Sequence, residues 1–253
     1  MTGVQTCALP ISLAVGSAFK LAVLAALQDQ VAQGLRQWDE VVALDPAWKS
    51  LPTGILQTWP DGAPLTLHTL AALMISQSDN TATDALIHLV GREAVEAYSP
   101  RNKPFLTTRE AFVLKENEAL LAQYRQAGER GRRALLGRLA SEPLPSTEIF
   151  ATGPRALDVE WFMTATELCT LMARVQGLPL MSINPGVADP EAWARAAFKG
   201  GSEPGVINLT TGLVRADGSR LCVVATWNTE TPPAGMESQF ISLYSRLLAA
   251  LAR

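Results

Sequence analysis

Two alcohols and two amines in this 253-residue sequence have the types and spacing that covalent catalysis requires. Ser17 precedes Lys20 by three residues, a spacing that puts both side chains on one face of a helix. A lysine held away from water and near a second cation loses its proton more easily, and it can then accept one from the serine. The pair predicts a serine nucleophile that a neighbouring amine activates.

The second alcohol and the second amine belong to two later motifs. Ser78-Asp79-Asn80 begins 61 residues after Ser17 (78 − 17), and Lys199-Gly200-Gly201 begins 182 residues after it (199 − 17). A short motif alone arises by chance, but the order and placement of all three make the combination specific. We expect the two alcohols and the two amines to converge around one electrophilic carbonyl.

Apolar residues at helical spacing predict the elements that position these motifs. One helix opens at Ser17 and ends at Gly34, a natural stop, and the motif at 78–80 separates two others. A later helix is led by Asp158, Glu160 and Trp161. The predicted helices cover residues 17–34, 65–75, 81–90, 164–175 and 236–251, with a charged helical stretch at 111–140.

Extended segments follow residue 192. Strands are predicted over 193–198, 205–215 and 220–227, and Asp217-Gly218 suits a tight hairpin turn between the last two. The lysine motif at 199–201 then falls on the last residues of a strand. The sequence predicts one domain of the α/β (α+β) class, with a mainly helical region over 12–178 and, over 179–253, an antiparallel sheet that a C-terminal helix covers.

Composition excludes several classes of partner. Lys and Arg total 21 against 24 Asp and Glu, so no positive surplus is available to bind nucleic acid. The longest apolar run, Leu21–Leu27, is too short to span a membrane. No C-x-x-C or H-E-x-x-H occurs, so we expect no metal and no other cofactor. Cys169 and Cys222 are interpreted as small buried apolar residues, without a disulfide framework.

Residues 1–11 follow neither helical nor strand periodicity, and they lack the pattern of a secretory signal. Their sequence, MTGVQTCALPI, is similar to a translated sequencing adapter. We interpret it as a leader foreign to the protein, joined to a sequence whose own amino end is lost. An ordinary structureless terminus is the alternative.

From Gly16 to Asn228 the sequence resembles the class A β-lactamase-like serine hydrolases, a superfamily of β-lactamases and penicillin-binding proteins. The likeness lies in the segments SAFKLAVLAAL, LMISQSDNTATDALIHLVG and FKGGSEPGVINLTTGLVRADGSRLCVVATWN. The family's sheet normally gains two strands from sequence ahead of the nucleophile. Their absence predicts an unpaired apolar edge on the strand at 220–227, and a chain that is poorly soluble or inactive.

The resemblance gives a role to each residue that matches the first two motifs. It implies that Ser17 is the acylated nucleophile, that Lys20 is its base or proton relay, and that Ser78 passes a proton to the departing nitrogen. Asn80 would hydrogen-bond both Lys20 and the substrate, and Asp79 would hold the loop in place.

The same resemblance assigns the third motif to substrate binding. Lys199 would attract a substrate carboxylate, and the backbone N–H groups of Ser17 and Ser202 would form an oxyanion hole. Gly200 and Gly201 would let the substrate approach the strand edge, because a side chain there would block it. Gly200 replaces the family's usual Thr or Ser, so a hydroxyl that helps to bind a carboxylate is missing.

A second departure concerns the removal of the acyl group. The family's Glu-x-x-Leu-Asn segment, whose glutamate activates water, is absent. Its nearest counterpart is Arg109-Glu110-Ala111-Phe112, which puts Glu110 32 residues after Ser78 (110 − 78). Glu110 is therefore the candidate base, and an ordinary carboxylate at a helix start is the alternative. Without a base the acyl-enzyme would persist.

The resemblance implies amide-bond hydrolysis through an acyl-serine, with a β-lactam as the expected substrate. Two alternatives stay open: a penicillin-binding sensor that is acylated without turnover, and a peptidase or esterase acting on another substrate. The expected partner is a small molecule, either a β-lactam or a peptidoglycan stem peptide, and the expected state is a monomer. The family also implies a periplasmic or secreted protein with a part in antibiotic resistance.

Overall fold

A helical region and a later antiparallel sheet make up the chain in a computed structural model, which describes residues 11–252. The α-helices are α1 (Lys20–Ala32), α2 (Leu67–Ser76), α3 (Asn80–Val90), α4 (Arg92–Glu96), α5 (Thr108–Glu116), α6 (Glu118–Gln126), α7 (Glu129–Ser141), α8 (Ala165–Val175) and α9 (Met236–Leu251). The strands are β1 (Leu13–Ala14), β2 (Val41–Ala43), β3 (Pro64–Thr66), β4 (Phe162–Met163), β5 (Arg195–Glu203), β6 (Val206–Val214) and β7 (Arg220–Asn228). Apart from Ile11, the interpreted leader lies outside the described residues.

The helix after Ser17 forms the centre of the larger core. A 3₁₀ turn, Gly16–Phe19, comes first and is named the nucleophile turn after the role predicted for Ser17. α1 continues from Lys20, and every residue of Leu21–Leu27 is buried. A helix that is apolar all round needs neighbours on every side, and α1 packs against α3 and α8. No helix within residues 11–252 combines the length and apolar character that crossing a membrane requires.

The charged stretch predicted at 111–140 is three helices. α5 ends at Glu116, and the Asn117 side chain caps α6 by accepting a hydrogen bond from the Leu120 backbone N–H. Gly128 precedes α7. The arginines of this stretch lie on its solvated side, where Arg133 pairs with Glu96 and Glu129.

The helix predicted over 164–175 is α8, but Asp158, Glu160 and Trp161 do not start it. Thr164 is the N-cap of α8, and it forms a capping box with Glu167. Asp158 instead pairs with Arg125 on the surface, and the Trp161 ring stacks on Phe19 with their centroids 3.9 Å apart. The segment before α8 therefore packs beside the nucleophile turn and does not begin a helix.

Three strands, in the order β5–β6–β7, form the main antiparallel sheet. Gly218, with φ of 83°, completes the predicted hairpin turn between β6 and β7. β5 continues to Glu203, so the lysine motif lies inside the strand. The prediction that the motif falls on the last residues of the strand is wrong. α8 packs on one face of the sheet, and α9 covers the other with Tyr244, whose hydroxyl donates to the Val223 carbonyl at 2.8 Å.

A disulfide bond corrects the interpretation of the two later cysteines. Cys169 on α8 and Cys222 on β7 are half-buried and bonded to each other, across 53 residues of sequence. The bond ties β7, which lies at the edge of the three-stranded sheet, to the helix behind it. The local sequence patterns correctly predict a helix around Cys169 and a strand around Cys222. Neither pattern shows that the two thiols lie within bonding distance of each other.

Candidate active site

The nucleophile turn is held by contacts on both sides. The backbone N–H of Val15 donates to the Trp161 carbonyl at 3.0 Å. The Asn228 side chain pairs with the backbone of Ala14, accepting from its N–H at 2.8 Å and donating to its carbonyl at 2.9 Å. Gly16 follows with φ of 48°, a conformation that favours glycine. Ser17 therefore stands at a fixed and half-buried position.

Gly201 brings strand β5 against this turn. A Cβ atom at Gly201 would lie 2.2 Å from the carbonyl oxygen of Val15 and 2.4 Å from the nitrogen of Ser17. The glycine is therefore required by the packing of the nucleophile turn. Its expected role in admitting substrate to the strand edge stays a prediction, and Gly201 does line the cavity. A Cβ atom at Gly16 would meet the Ser202 nitrogen at 3.2 Å. The backbone nitrogens of Ser17 and Ser202, which are expected to form the oxyanion hole, therefore both lie where the nucleophile turn contacts β5.

Gly200 has a different neighbour. A Cβ atom there would lie 2.8 Å from the ring of Phe198, two residues earlier on the same face of β5. Phe198 lines the cavity in front of the nucleophile. The space that a Thr or Ser side chain would need is thus occupied by an aromatic ring, because residues i and i+2 of a strand share a face.

The loop before α3 holds Ser78 in a backbone conformation that is rare outside glycine. Its φ is 55°, and its carbonyl accepts hydrogen bonds from Lys20 Nζ and Thr53 Oγ1, each at 2.6 Å. Asp79 caps α3 through the Ala82 N–H at 2.8 Å, and its second oxygen accepts from the Ile55 N–H at 2.7 Å. The loop is therefore fixed from two directions.

Lys20 and Lys199 meet at Ser78. Lys20 Nζ lies 3.1 Å from Ser78 Oγ and 2.7 Å from Asn80 Oδ1, and Lys199 Nζ lies 3.0 Å from the same Ser78 Oγ. Burial, and then the charge of Lys199, holds the pKa of Lys20 well below its usual range. Burial also lowers the pKa of Lys199 to about 7. Lys199 can therefore exchange a proton near neutral pH, and Lys20 releases its proton more easily than an ordinary lysine does.

Glu110 is not brought to this site. Its Oε1 accepts from Arg92 Nη2 at 2.8 Å, and its Oε2 accepts from Arg92 Nη1 at 3.0 Å and from the Thr107 N–H at 2.8 Å. The side chain closes a capping box at the start of α5 and does not line the cavity. The interpretation of Glu110 as the deacylating base is corrected in favour of its alternative, a carboxylate at a helix start.

A second charged cluster, which no sequence pattern indicates, lies in the wall of the cavity. Lys115 Nζ contacts Glu203 at 2.5 and 2.7 Å, and it also contacts Glu160 Oε1. Burial alone would lower the pKa of Lys115, but the charges of Glu160 and Glu203 outweigh it and raise the pKa. Strand alternation could have placed Glu203 on the face of Lys199 and Gly201.

The cavity that joins these groups has a volume of about 510 Å³. Two of the predicted site residues do not line it: Glu110, and Lys20, which contacts the lining residue Ser78. The other predicted site residues all line it: Ser17, Ser78, Asn80, Lys199, Gly200, Gly201 and Ser202. Thr53, Glu160 and Glu203 also line it. Within residues 11–252, no three His, Cys, Asp or Glu side chains are grouped so as to hold a metal ion.

Comparison with known proteins agrees with this geometry. Residues 12–127 match the model of the β-lactamase enzyme family. A β-lactamase from Sphaerobacter thermophilus is 23% identical, with a TM-score of 0.58, and the match covers 95% of this chain and 84% of that one. A β-lactamase from Chitinophaga pinensis is 20% identical, with a TM-score of 0.62 and coverage of 96% and 87%.

A penicillin-binding protein is similar as well. A mutant of PBP-A, solved as an acyl-enzyme complex with penicillin G, is 18% identical with a TM-score of 0.59, and the match covers 95% of this chain and 82% of that one. No curated protein matches the sequence. At these identities the solved structures establish the fold, and the family model covers the nucleophile turn and the Ser78 loop. The chain therefore has the fold of the class A β-lactamases and PBP-A, and its residues 12–127 match the β-lactamase enzyme family.

Proposed function

We propose that Ser17 is acylated by the carbonyl of a β-lactam, and that the acyl-enzyme is then hydrolysed. The observation that carries the proposal is the position of Ser78 Oγ, which lies 3.1 and 3.0 Å from two buried amines in the cavity that Ser17 lines. A hydroxyl between two amines of lowered pKa is suited to relay a proton.

The proposed first step is attack by Ser17 Oγ on the substrate carbonyl. A neutral Lys20 takes the serine proton, and the lowered pKa of Lys20 makes that neutral form available. As the carbon–nitrogen bond breaks, Ser78 donates its proton to the departing nitrogen and receives one from the Lys20 ammonium. The proton lost by Ser17 thus ends on the leaving group, and Lys20 is neutral again.

The oxyanion hole and the Lys199 side chain assist that step in the proposal. The backbone N–H groups of Ser17 and Ser202 stabilise the negative charge on the carbonyl oxygen, an effect worth about 3 to 4 kcal/mol for one donor in other hydrolases. Lys199 attracts the substrate carboxylate when it is protonated, and its pKa of about 7 makes that attraction weaken as pH rises past neutrality.

A second candidate is acylation without turnover, as in a penicillin-binding sensor. It is favoured by the hydrogen bonds that hold both oxygens of Glu110 on Arg92 and Thr107, away from the cavity. The PBP-A mutant shows that a protein of this fold can be crystallised as a penicillin acyl-enzyme. The two candidates differ only in the lifetime of the acyl group.

We also propose that the protein works outside the cytoplasm, in the periplasm or secreted. Support comes from the bond between Cys169 and Cys222, since disulfides persist in oxidising compartments and are rare in the cytosol. Thiol labelling of the protein in intact cells tests this. Unreactive Cys169 and Cys222 before reduction are expected, and free thiols would contradict the proposed location.

Intact-mass spectrometry on the protein with benzylpenicillin, followed over time, tests the main proposal. We expect a mass increase of one penicillin on Ser17, and none in Ser17→Ala. Decay of the adduct, with turnover of a chromogenic cephalosporin, supports hydrolysis, whereas a stable adduct supports the sensor. Absence of any adduct on the wild-type protein would overturn both.

A further inference from the structure

One face of strand β5 carries opposite charges on the two sides of the nucleophile. Lys199, Gly201 and Glu203 alternate along the strand and so share a face. Gly201 contacts the nucleophile turn, and a Cβ atom at this position would point at the backbone nitrogen of Ser17. Two residues of strand span about 7 Å. Ser17 therefore faces an ammonium on one side and a carboxyl group on the other, each at about that distance along β5.

The carboxyl group at Glu203 belongs to a cluster that lacks one positive charge. Lys115 is the ammonium between two carboxyl groups, Glu160 and Glu203. Burial, and then the proximity of Glu160, raises the pKa of Glu203 to about 9. A proton therefore supplies the missing positive charge at neutral pH, and another cation beside the pair could replace it.

Glu160 shares the proton that Glu203 carries. Its side chain is 1% exposed and lines the same cavity as Ser17. Its buried Oε2 accepts no hydrogen bond from any other donor among the described residues, and a hydrogen bond between the Glu160 and Glu203 side chains helps to raise the Glu203 pKa. An ammonium that takes the place of this proton can therefore donate to both carboxyl groups.

The cavity is open at this end. A second cavity of about 760 Å³ adjoins the first, and Glu203 and Glu237 line both of them. Glu237 is exposed at the start of α9. A substrate side chain that passes Ser202 therefore runs along Glu203 and has room beyond it.

We propose that Glu203, together with Glu160, binds a cationic amine on the acyl side of the substrate. The inference rests on the proposed acylation of Ser17 and adds a substrate class to it. Such a substrate carries a carboxylate on the leaving-group side, toward Lys199, and an ammonium on the acyl side, toward Glu203. On binding, the ammonium takes the place of the proton on Glu203, and that proton passes to solvent.

Two penicillins that differ by one amino group test this subsite. Ampicillin carries an amine on its acyl side chain, and benzylpenicillin is the same molecule without it. The measurement is the second-order rate constant for acylation of Ser17 by each, from intact mass at pH 7. We expect the wild-type protein to react about ten times faster with ampicillin, the effect of one charge-assisted hydrogen bond.

Isosteric variants locate the preference. Glu203→Gln keeps the shape of a protonated Glu203 and cannot become negative, so we expect the ratio of the two rate constants to fall to about one. Glu160→Gln should lower it as well. Glu230→Gln changes an exposed carboxylate outside both cavities and should leave it unchanged.

Each remaining outcome overturns the inference in a recognisable way. Equal acylation of the wild-type protein by both penicillins removes the amine subsite and leaves the proposed function intact. A preference that survives Glu203→Gln but is lost in Glu237→Gln places the amine at the cavity mouth and contradicts the role of Glu203. If neither penicillin labels Ser17, the proposed function fails and the subsite fails with it.

Discussion

Lys20 and Lys115 are both buried beside the same cavity, and their surroundings give them opposite chemistry. Among the residues that the structure describes, Lys20 hydrogen-bonds only uncharged oxygens, namely the carbonyl and hydroxyl of Ser78 and the amide of Asn80. Its pKa is lowered by burial and by Lys199. Lys115 lies between two carboxyl groups, which raise its pKa despite the opposing effect of burial.

Burial alone therefore does not make a lysine a base. The desolvation cost is common to both residues, and the charge of the hydrogen-bond partners decides whether the proton is released or kept. Lys20 is suited to accept and donate protons, whereas Lys115 is suited to hold two segments of chain together as a permanent cation. The following predictions test this distinction.

Replacement of Lys20 by Met should have the largest effect. Acylation by benzylpenicillin should slow about 10⁴-fold, the upper range for loss of a general base. Stability should change little by comparison, because no carboxylate loses its partner. Intact mass gives the rate and urea unfolding gives the stability. A variant that unfolds, or one that is acylated at the wild-type rate, would show that Lys20 is a structural cation like Lys115.

The same replacement at Lys115 should act mainly on stability. Removal of one partner from a buried ion cluster typically costs about 3 to 5 kcal/mol, because the remaining charge is left unpaired. We expect Lys115→Met to lose stability of that order in urea unfolding at pH 7. Addition of Glu160→Gln should restore part of it, because that substitution removes the other carboxyl group that Lys115 contacts. A loss below about 1 kcal/mol would mean that Lys115 does not hold the cluster together.

Asn80→Asp should give Lys20 a carboxylate partner, like the carboxyl groups that Lys115 contacts. A carboxylate at 80 replaces the amide oxygen that Lys20 contacts at 2.7 Å, so the pKa of Lys20 should rise. Less of the neutral amine is then present, and we expect acylation at pH 7 to slow about 100-fold, as for a rise of two pKa units. The rate should recover as pH is raised. A pH-independent loss would instead implicate the contact of Asn80 with substrate.

Glu203→Gln should change the pH dependence of stability by a smaller amount. The pKa of Glu203 is raised from 4.5 to about 9, so the folded state binds a proton that the unfolded state releases. Its contribution to stability is complete below pH 4.5 and is lost as pH rises through 9. Between pH 6 and pH 8, the free energy of unfolding should therefore fall by at least about 1 kcal/mol less in the variant than in the wild type. Thermal unfolding at several pH values measures this difference. Parallel plots of stability against pH for the two proteins would contradict the prediction.

Local patterns predicted much of the fold. α9 occupies the predicted residues 236–251, because its apolar positions follow helical spacing without a break. The turn at Asp217-Gly218 and the end of α3 before Gly91 follow from residues that accept positive φ. The motifs of Ser17, Ser78 and Lys199 are predicted to share one site because together they resemble the signature of a known family, and local patterns add only the elements on which each motif lies.

The second charged cluster could not be predicted in the same way. Lys115, Glu160 and Glu203 are separated by 45 and 43 residues (160 − 115 and 203 − 160), and each lies in a segment that is unremarkable by itself. Only the packing of α5, the segment before α8 and the end of β5 brings them together. The sequence predicts Glu160 at a helix start because acidic residues favour such positions. In the structure, Glu160 instead pairs with the buried ammonium of Lys115.

The bond between Cys169 and Cys222 has a consequence that reaches well beyond its own surroundings. It fixes β7 to α8, and Asn228 at the end of β7 clasps Ala14, three residues before Ser17. The disulfide on the edge strand is thus connected, through β7 and two hydrogen bonds, to the segment that carries Ser17. Oxidation of two distant thiols completes the support of the nucleophile before any substrate arrives.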